Sequence, residues 1–448
     1  MRKLFTFILL LTFLISPAFA YEIILPKTKK VNTDTKYAFF VGKAINDEVI
    51  TINDEKIYVA SNGAFAHSVK LMEGENRIAV KSNFGMRIYK IYKKTPAEKA
   101  APVLEEFEPQ YYTVLKDNTP LRSTPEDYGM NRMSHLFADT NIVINGKKGD
   151  FYRVFLSKDK VGWIAQSDVK PVLSKETTPE FITVGSKTYK NASVHTIEFT
   201  EKLPYTVEET KNSIFFKVYN PMFSEDSVYT ITVKKPEKYT CKTISSNGVY
   251  VFKVSSLPHP ETALNGINIF VDAGHGGKEL GAIGCLGDNE KDINLKIAAE
   301  LREILCLMGA NVYMSREDDS FVSLEDRVNM AKENCADVFV SIHLNSIPDI
   351  KMDIHKNRGT SVYYYNSSSK AIAESVLHSL TKGIKTRNDG LRTASLAVIR
   401  PADYLGILVE AAYMTNPIDS VLYTNEEFPR ETAESIADGI LKYVSSGK

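Results

Sequence analysis

Three side chains able to bind a metal or move a proton stand beside apolar runs in the last third of this sequence. His275 follows the run IFVDAG and sits among glycines, His343 closes DVFVSIH, and Glu410 lies near the end of ILVE. Each run reads as a strand of an α/β unit. In open α/β sheets ligands bind just beyond the carboxyl ends of the strands, so the three groups converge on one sheet edge. Glu290, in the loop leading into the next helix, reaches the same edge. Two imidazoles and one carboxylate, with a fourth position open to water, make the ligand set of a catalytic zinc. Gly274, Gly276 and Gly277 allow a tight turn and leave room for metal and substrate. Taken singly, each group has an ordinary explanation: a satisfied strand-end histidine, a tight turn, or an acid at the positive end of a helix. Their joint placement points to chemistry.

The elements around them have a consistent period. KDINLKIAAELREILCLMG places Ile293, Ile297, Leu301 and Leu305 on one helical face. NVYMSR returns to a strand, and Ser323-x-x-Asp326 caps a helix carrying Leu324, Val328 and Ala331. DVFVSIH, TSVYYY and GILVEAAY read as strands, and IAESVLHSLTKGI and ETAESIADGILKYVSS as helices. Strands alternating with helices predict a mostly parallel sheet covered by helices on both faces, over residues 263–448.

Upstream the pattern is β throughout. Residues 21–95, with YAFFVGKA, VITIN, KIYVAS, AFAHSVKL and NRIAVKS, predict a β-sandwich module, and the Pro-, Ala- and Glu-rich stretch 96–109 a linker. Residues 110–173 and 174–262 form two further β modules, so the fold class is a multidomain chain of three small all-β modules before an α/β catalytic domain. His67, His135 and His195 stand alone in these modules and read as structural or surface residues. At the start, Arg2 and Lys3 precede LFTFILLLTFLI and then Ala18-Phe19-Ala20, which predicts a signal peptide over 1–20 and export to a periplasm or extracellular wall. No later run is apolar enough to span a membrane. Lysine plus arginine equal aspartate plus glutamate at 55 each, so nothing in the charge points to nucleic acid. The four cysteines lack a CxxC spacing and read as buried free thiols, with a Cys306–Cys335 bridge left open.

The segment from about Ile267 to Val444 resembles the zinc-dependent N-acetylmuramoyl-L-alanine amidases of the type-3 amidase family. VDAGHGGKELGAIG, NEKDINL, SREDDSFVSLEDRVNMA, DVFVSIHLNS, RGTSVYYY and LVEAAYMTNPIDS follow in the family's order. The resemblance implies His275, Glu290 and His343 as ligands of a Zn2+ cofactor and Glu410 as the catalytic acid–base. Glu290 is preferred to Glu279 and Asp288 because it heads the EKD-x-N pattern. It also implies peptidoglycan as partner and hydrolysis of the amide between N-acetylmuramic acid and L-alanine, in wall remodelling or daughter-cell separation. Upstream, the Leu121-Arg122, Asn145-Gly146 and Gly162-Trp163-Ile164 features resemble a bacterial SH3-like domain, with Trp163 expected in the core or rim. The segment around Leu203-Pro204-Tyr205-Thr206-Val207 resembles an amidase N-terminal (AMIN) domain.

This chain departs from the family at Ala412, where a glycine is usual, and in SIPDIKMDIHKNR, too short for the inhibitory helix of some relatives. His355 in that stretch reads as a surface residue, and Arg316 and Arg327 as structural pairing or capping residues. A protein activator is neither implied nor excluded. Two other readings remain: a zinc peptidase acting within the stem peptide, and a non-catalytic peptidoglycan-binding scaffold. The presence of His275, Glu290, His343 and Glu410 together favours an enzyme.

Overall fold

The computed structural model describes residues 21–446 except 46–47, 95–101, 130, 173–177, 223, 225, 258–262 and 347–356. The expected signal peptide and His355 therefore lie outside the described residues. Among those described, no helix is long and apolar enough to cross a membrane.

The chain is multidomain, with β-sheets throughout its N-terminal region. Residues 21–93 form a three-stranded and a five-stranded sheet, packed around Phe40, Phe65, Ile78, Val80 and Tyr89. Next comes a seven-stranded sheet running from Glu105 to Pro171. Its first strand, Glu105–Val114, pairs Glu105 with Lys147, so the last residues of the expected linker are already sheet. Trp163 is buried there. A four-stranded and a three-stranded sheet follow, between Phe181 and Ser256. One apolar core runs through both of these units, from Val114, Leu121 and Ile164 to Phe199, Tyr205, Phe216 and Phe252. Tyr205 stacks on Phe137, and its hydroxyl donates to the His135 carbonyl (3.0 Å). The two units thus share their interior, which alternation within single strands cannot reveal.

The last unit is built on six strands: β1 (Asn268–Ala273), β2 (Asn311–Met314), β3 (Val338–Asn345), β4 (Thr360–Tyr364), β5 (Asn388–Thr393) and β6 (Leu405–Tyr413). Their order is β2-β1-β3-β6-β4-β5. β1 pairs parallel with β2 and β3, β3 with β6, and β4 with β5. β6 and β4 pair antiparallel. Five helices accompany the sheet among the described residues: α1 (Glu290–Leu307), α2 (Leu324–Glu333), α3 (Lys370–Gly383), α4 (Pro417–Tyr423) and α5 (Phe428–Ser445).

Alternation divides the strand residues between two cores. Ile269, Val271, Val338, Val340 and Ile342 meet α1, α3 and α5 through Ile297, Leu301, Leu305, Val376, Leu380, Ile436 and Ile440. Phe270 and Phe339 point the other way, stacked at 5.4 Å, and meet Tyr404 and Ala331 of α2. The Ser323 hydroxyl caps α2 by accepting from Asp326 N (3.1 Å). Leu324, the first residue of α2, is exposed, whereas Ala331 is buried. All four cysteines are free, with Cys241 and Cys285 buried and Cys306 and Cys335 exposed, so burial holds for two of them and the bridge is absent.

The aromatic stack fixes how the sheet meets α2, which yields a stability test. Phe339→Ala should destabilise the α/β unit by about 3–5 kcal/mol, read as earlier thermal loss of the helical circular-dichroism signal. Trp163 fluorescence, which reports a different core, should shift less.

Candidate metal centre

The site is assembled where β1 ends. Asp272 is a fully buried carboxylate in an otherwise apolar strand, and an isolated charge there would be strongly unfavourable. It pairs with Arg327 of α2 and accepts from the Ser341 hydroxyl (2.6 Å). Arg327 also donates to the carbonyls of Ala273 and His275, both at 2.7 Å. Arg316 donates to Ala273 O and Gly274 O (3.0 Å each) and to Lys291 O (2.8 Å). Two buried guanidinium groups therefore hold every carbonyl from residue 273 to 275. Within this clamp His275 adopts φ +60°, the left-handed region that side chains with a Cβ rarely enter.

Glu290 is the first residue of α1, one step inside the helix rather than in the preceding loop. Its Oε2 accepts from Ala282 N (2.8 Å) and lies 3.2 Å from His275 Nε2. Its Oε1 lies 2.9 Å from His343 Nδ1 and accepts from Leu344 N (3.2 Å) and Asn294 Nδ2 (3.3 Å). Burial pushes this carboxyl up, but the hydrogen bonds and charge of the two imidazoles outweigh burial and hold it well below the carboxylate range. One ligand atom from each of His275, Glu290 and His343 falls within 4.8 Å of the others. Glycine is sterically required on both sides. A Cβ on Gly274 would lie 2.3 Å from the His343 ring, and one on Gly281 would lie 2.5 Å from Glu290 Oε2.

Glu410 stands beside this group. β6 continues past it to Tyr413, so it is not at the strand's end, and its register partners are His343 on β3 and Ser361 on β4. The residue is half-buried, yet Oε2 is shut off from solvent and has no hydrogen-bond partner. Burial, then the charge of Glu290, push its carboxyl well above the usual range, with Arg392 opposing. The donor set suits zinc: two imidazole nitrogens and one carboxylate oxygen, with an unpartnered buried carboxylate alongside. Glu279 and Asp288 are not in the cluster.

Sequence reasoning did not single out Asp272 or Gly281. An aspartate within the run IFVDA was the available signal, since a buried carboxylate demands a cation, and Arg316 and Arg327 lay downstream to supply one. The large cleft of this protein, ≈ 1310 Å³, lies elsewhere, where the β units meet the α/β unit. The cluster of possible metal ligands is at the sheet edge and not in that cleft.

Residues 269–442 match the family model described as N-acetylmuramoyl-L-alanine amidase. The Bacillus subtilis protein YqiI, described as uncharacterized, is 35% identical over 184 residues, spanning 40% of this chain and 86% of that protein. The N-acetylmuramoyl-L-alanine amidase LytC of the same organism is 36% identical over 182 residues, 40% of this chain but only 36% of LytC. Among solved structures, the N-acetylmuramoyl-L-alanine amidase from Clostridium difficile 630 is 33% identical and matches 41% of this chain and 100% of that chain, with a TM-score of 0.39. Through its α/β unit, this chain belongs to the type-3 N-acetylmuramoyl-L-alanine amidase family.

Proposed function

We propose that the chain is an exported zinc hydrolase that cleaves the amide between N-acetylmuramic acid and L-alanine in peptidoglycan. The observation that carries this reading is the cluster of His275, Glu290 and His343 beside the partnerless Oε2 of Glu410. In it, His275, Glu290 and His343 would hold the zinc. Bound there, zinc would polarise the scissile carbonyl and acidify its water. Glu410 accepts the proton of the attacking water and returns it to the leaving amine of L-alanine. Its raised pKa suits a group that must both take and give a proton, and a nearby dication would lower it. Arg316 and Arg327 keep His275 aimed by holding its backbone. The SH3-like and AMIN-like units place the enzyme on the wall, and the N-terminal twenty residues direct export.

Digestion of purified peptidoglycan, with and without a chelator, tests the reaction. New amino termini should appear on L-alanine and vanish on chelation. Termini on other stem residues would instead establish the peptidase reading, and no cleavage under any metal would establish the scaffold.

Three variants separate the roles. Wild type should hold near-stoichiometric zinc and His343→Ala should lose most of it; full occupancy in the variant would overturn the ligand assignment. Glu410→Gln should lower turnover by about 10²–10⁴-fold with zinc content unchanged. A near-normal rate there would mean that Glu410 only orients a neighbour. Arg327→Lys keeps a charge for Asp272 but loses the fork that grips two carbonyls. Its zinc affinity should fall about 10–100-fold in a folded protein, whereas unchanged affinity would limit Arg327 to a stability role.

A further inference from the structure

A second constellation lies at the sheet edge remote from His275. β4 and β5 run opposite to β6, so Tyr365, Ser395 and Arg400 gather near the start of β6, far along the strands from Glu410. Arg122 and Arg132 of the seven-stranded unit approach from across the interface. Arg400 Nε donates to Ser395 Oγ (3.0 Å), and Arg132 Nη1 donates to the same oxygen at 3.5 Å. Arg400 Nη2 also donates to Ser395 O (3.2 Å). The Ser395 hydroxyl lies 3.2 Å from His135 Nε2. With two cations donating to its lone pairs, that hydroxyl directs its proton at His135 Nε2, which must then be a neutral acceptor. Burial and the charges of Arg400, Arg132 and Arg122 agree, pushing His135 down to about 3.

The charges do not balance. Against three guanidinium groups stands Asp127, 2.8 Å from Arg122 and 4.0 Å from Arg132, with a side chain 75% exposed. Arg400 has no carboxylate partner among the described residues. The Arg122 and Arg132 side chains are 5% and 17% exposed, and the Nε of each is shut off from solvent with no partner. Elsewhere in the ≈ 1310 Å³ cleft that opens onto Arg132, His135 and Arg400, Lys242 and Lys332 share Asp403, and Lys202 donates to the Ala138 carbonyl (2.9 Å). At the arginines the surplus of positive charge is the more deeply buried. Like charges brought together where water is partly excluded repel strongly, and an anion between them would reverse the sign of that interaction.

We propose that this junction binds an oxyanion, a carboxylate or phosphate group on a larger ligand lying in the cleft, gripped by Arg132 and Arg400. Planar guanidinium forks favour such groups, and the cleft is far larger than a simple ion. Because Arg132 and Arg400 belong to different units, the ligand ties the seven-stranded unit to the α/β unit. This site is independent of the proposed reaction.

Calorimetric titration of the full chain tests it, with inorganic phosphate in one arm and a soluble stem peptide bearing free carboxylates in the other. Chloride at equal ionic strength is the control. Saturable binding of either probe is expected, weakened about tenfold or more in Arg400→Gln and in Arg132→Gln. Arg400→Lys should fall between. Tighter binding of the peptide assigns a carboxylate ligand, and tighter binding of phosphate assigns a phosphate one. Arg132 donates to no backbone carbonyl of the α/β unit in this cluster, so Arg132→Gln keeps the test sound if Arg400→Gln fails to fold. No saturable binding of either probe, or equal binding by wild type and a folded Arg132→Gln, would overturn the proposal.

Discussion

The candidate metal centre depends on two buried arginines gripping the backbone that carries His275. The histidine's left-handed conformation costs on the order of 1–2 kcal/mol. Removing one partner from a buried ion pair such as Asp272–Arg327 costs about 3–5 kcal/mol. Breaking the clamp would therefore cost more than the strain it holds, and the strained turn persists because its surroundings over-determine it. Arg316 extends the same grip to Lys291 O on α1. Strand end, α1 and α2 are thereby locked to one another, and the candidate ligands His275 and Glu290 cannot drift apart independently.

Around that frame, two carboxylates are driven in opposite directions. Glu290 accepts from two imidazoles and three other nitrogen donors and is held ionised. Glu410, one strand away, has an oxygen that meets no donor and is pushed towards its neutral form, partly by the charge on Glu290 itself. Paired acids whose environments separate their pKa values divide the work of a site. Here the division suits a ligand and a proton carrier. The register of β3, β6 and β4 enforces it by setting Glu410 beside His343 and Ser361.

What the sequence revealed follows from the reach of each signal. Ile297, Leu301 and Leu305 are buried as their spacing demands, and the Ser323–Asp326 cap forms, because both depend on residues within a turn or two. β5, NDGLRT, carries a single large apolar residue and gave no alternation to read; it is a strand because β4 pairs with it. α4 is short and begins at a proline, which fits a turn equally well until Asn416 is seen accepting from Ile418 N and Asp419 N. The candidate site residues were legible as types and spacings, and the fold brings them together. The Asp272–Arg327 clamp was not, since a pair that far apart in sequence is joined only by the fold.

The loop leading to Glu290 adds a constraint from outside the α/β unit. Cys285 is buried against Val41, Ala60, Ala64 and Ala66 of the first β unit, with Leu25, Phe39 and Leu286 alongside. Asn62 Nδ2 donates to Ser420 Oγ of α4 (3.1 Å), close to where Cys285 N meets the Tyr423 hydroxyl (3.3 Å). The loop from Gly281 to Asn289 is therefore packed between two units before its chain enters α1 with the candidate ligand Glu290 as the first helical residue. Apolar contacts of this kind are lost together if the units separate, exposing Cys285 and freeing one side of the loop. The first β unit is thus part of what fixes the approach to Glu290. Its sequence could not show this, because the surface that meets Cys285 reads as the ordinary apolar face of a β-sandwich.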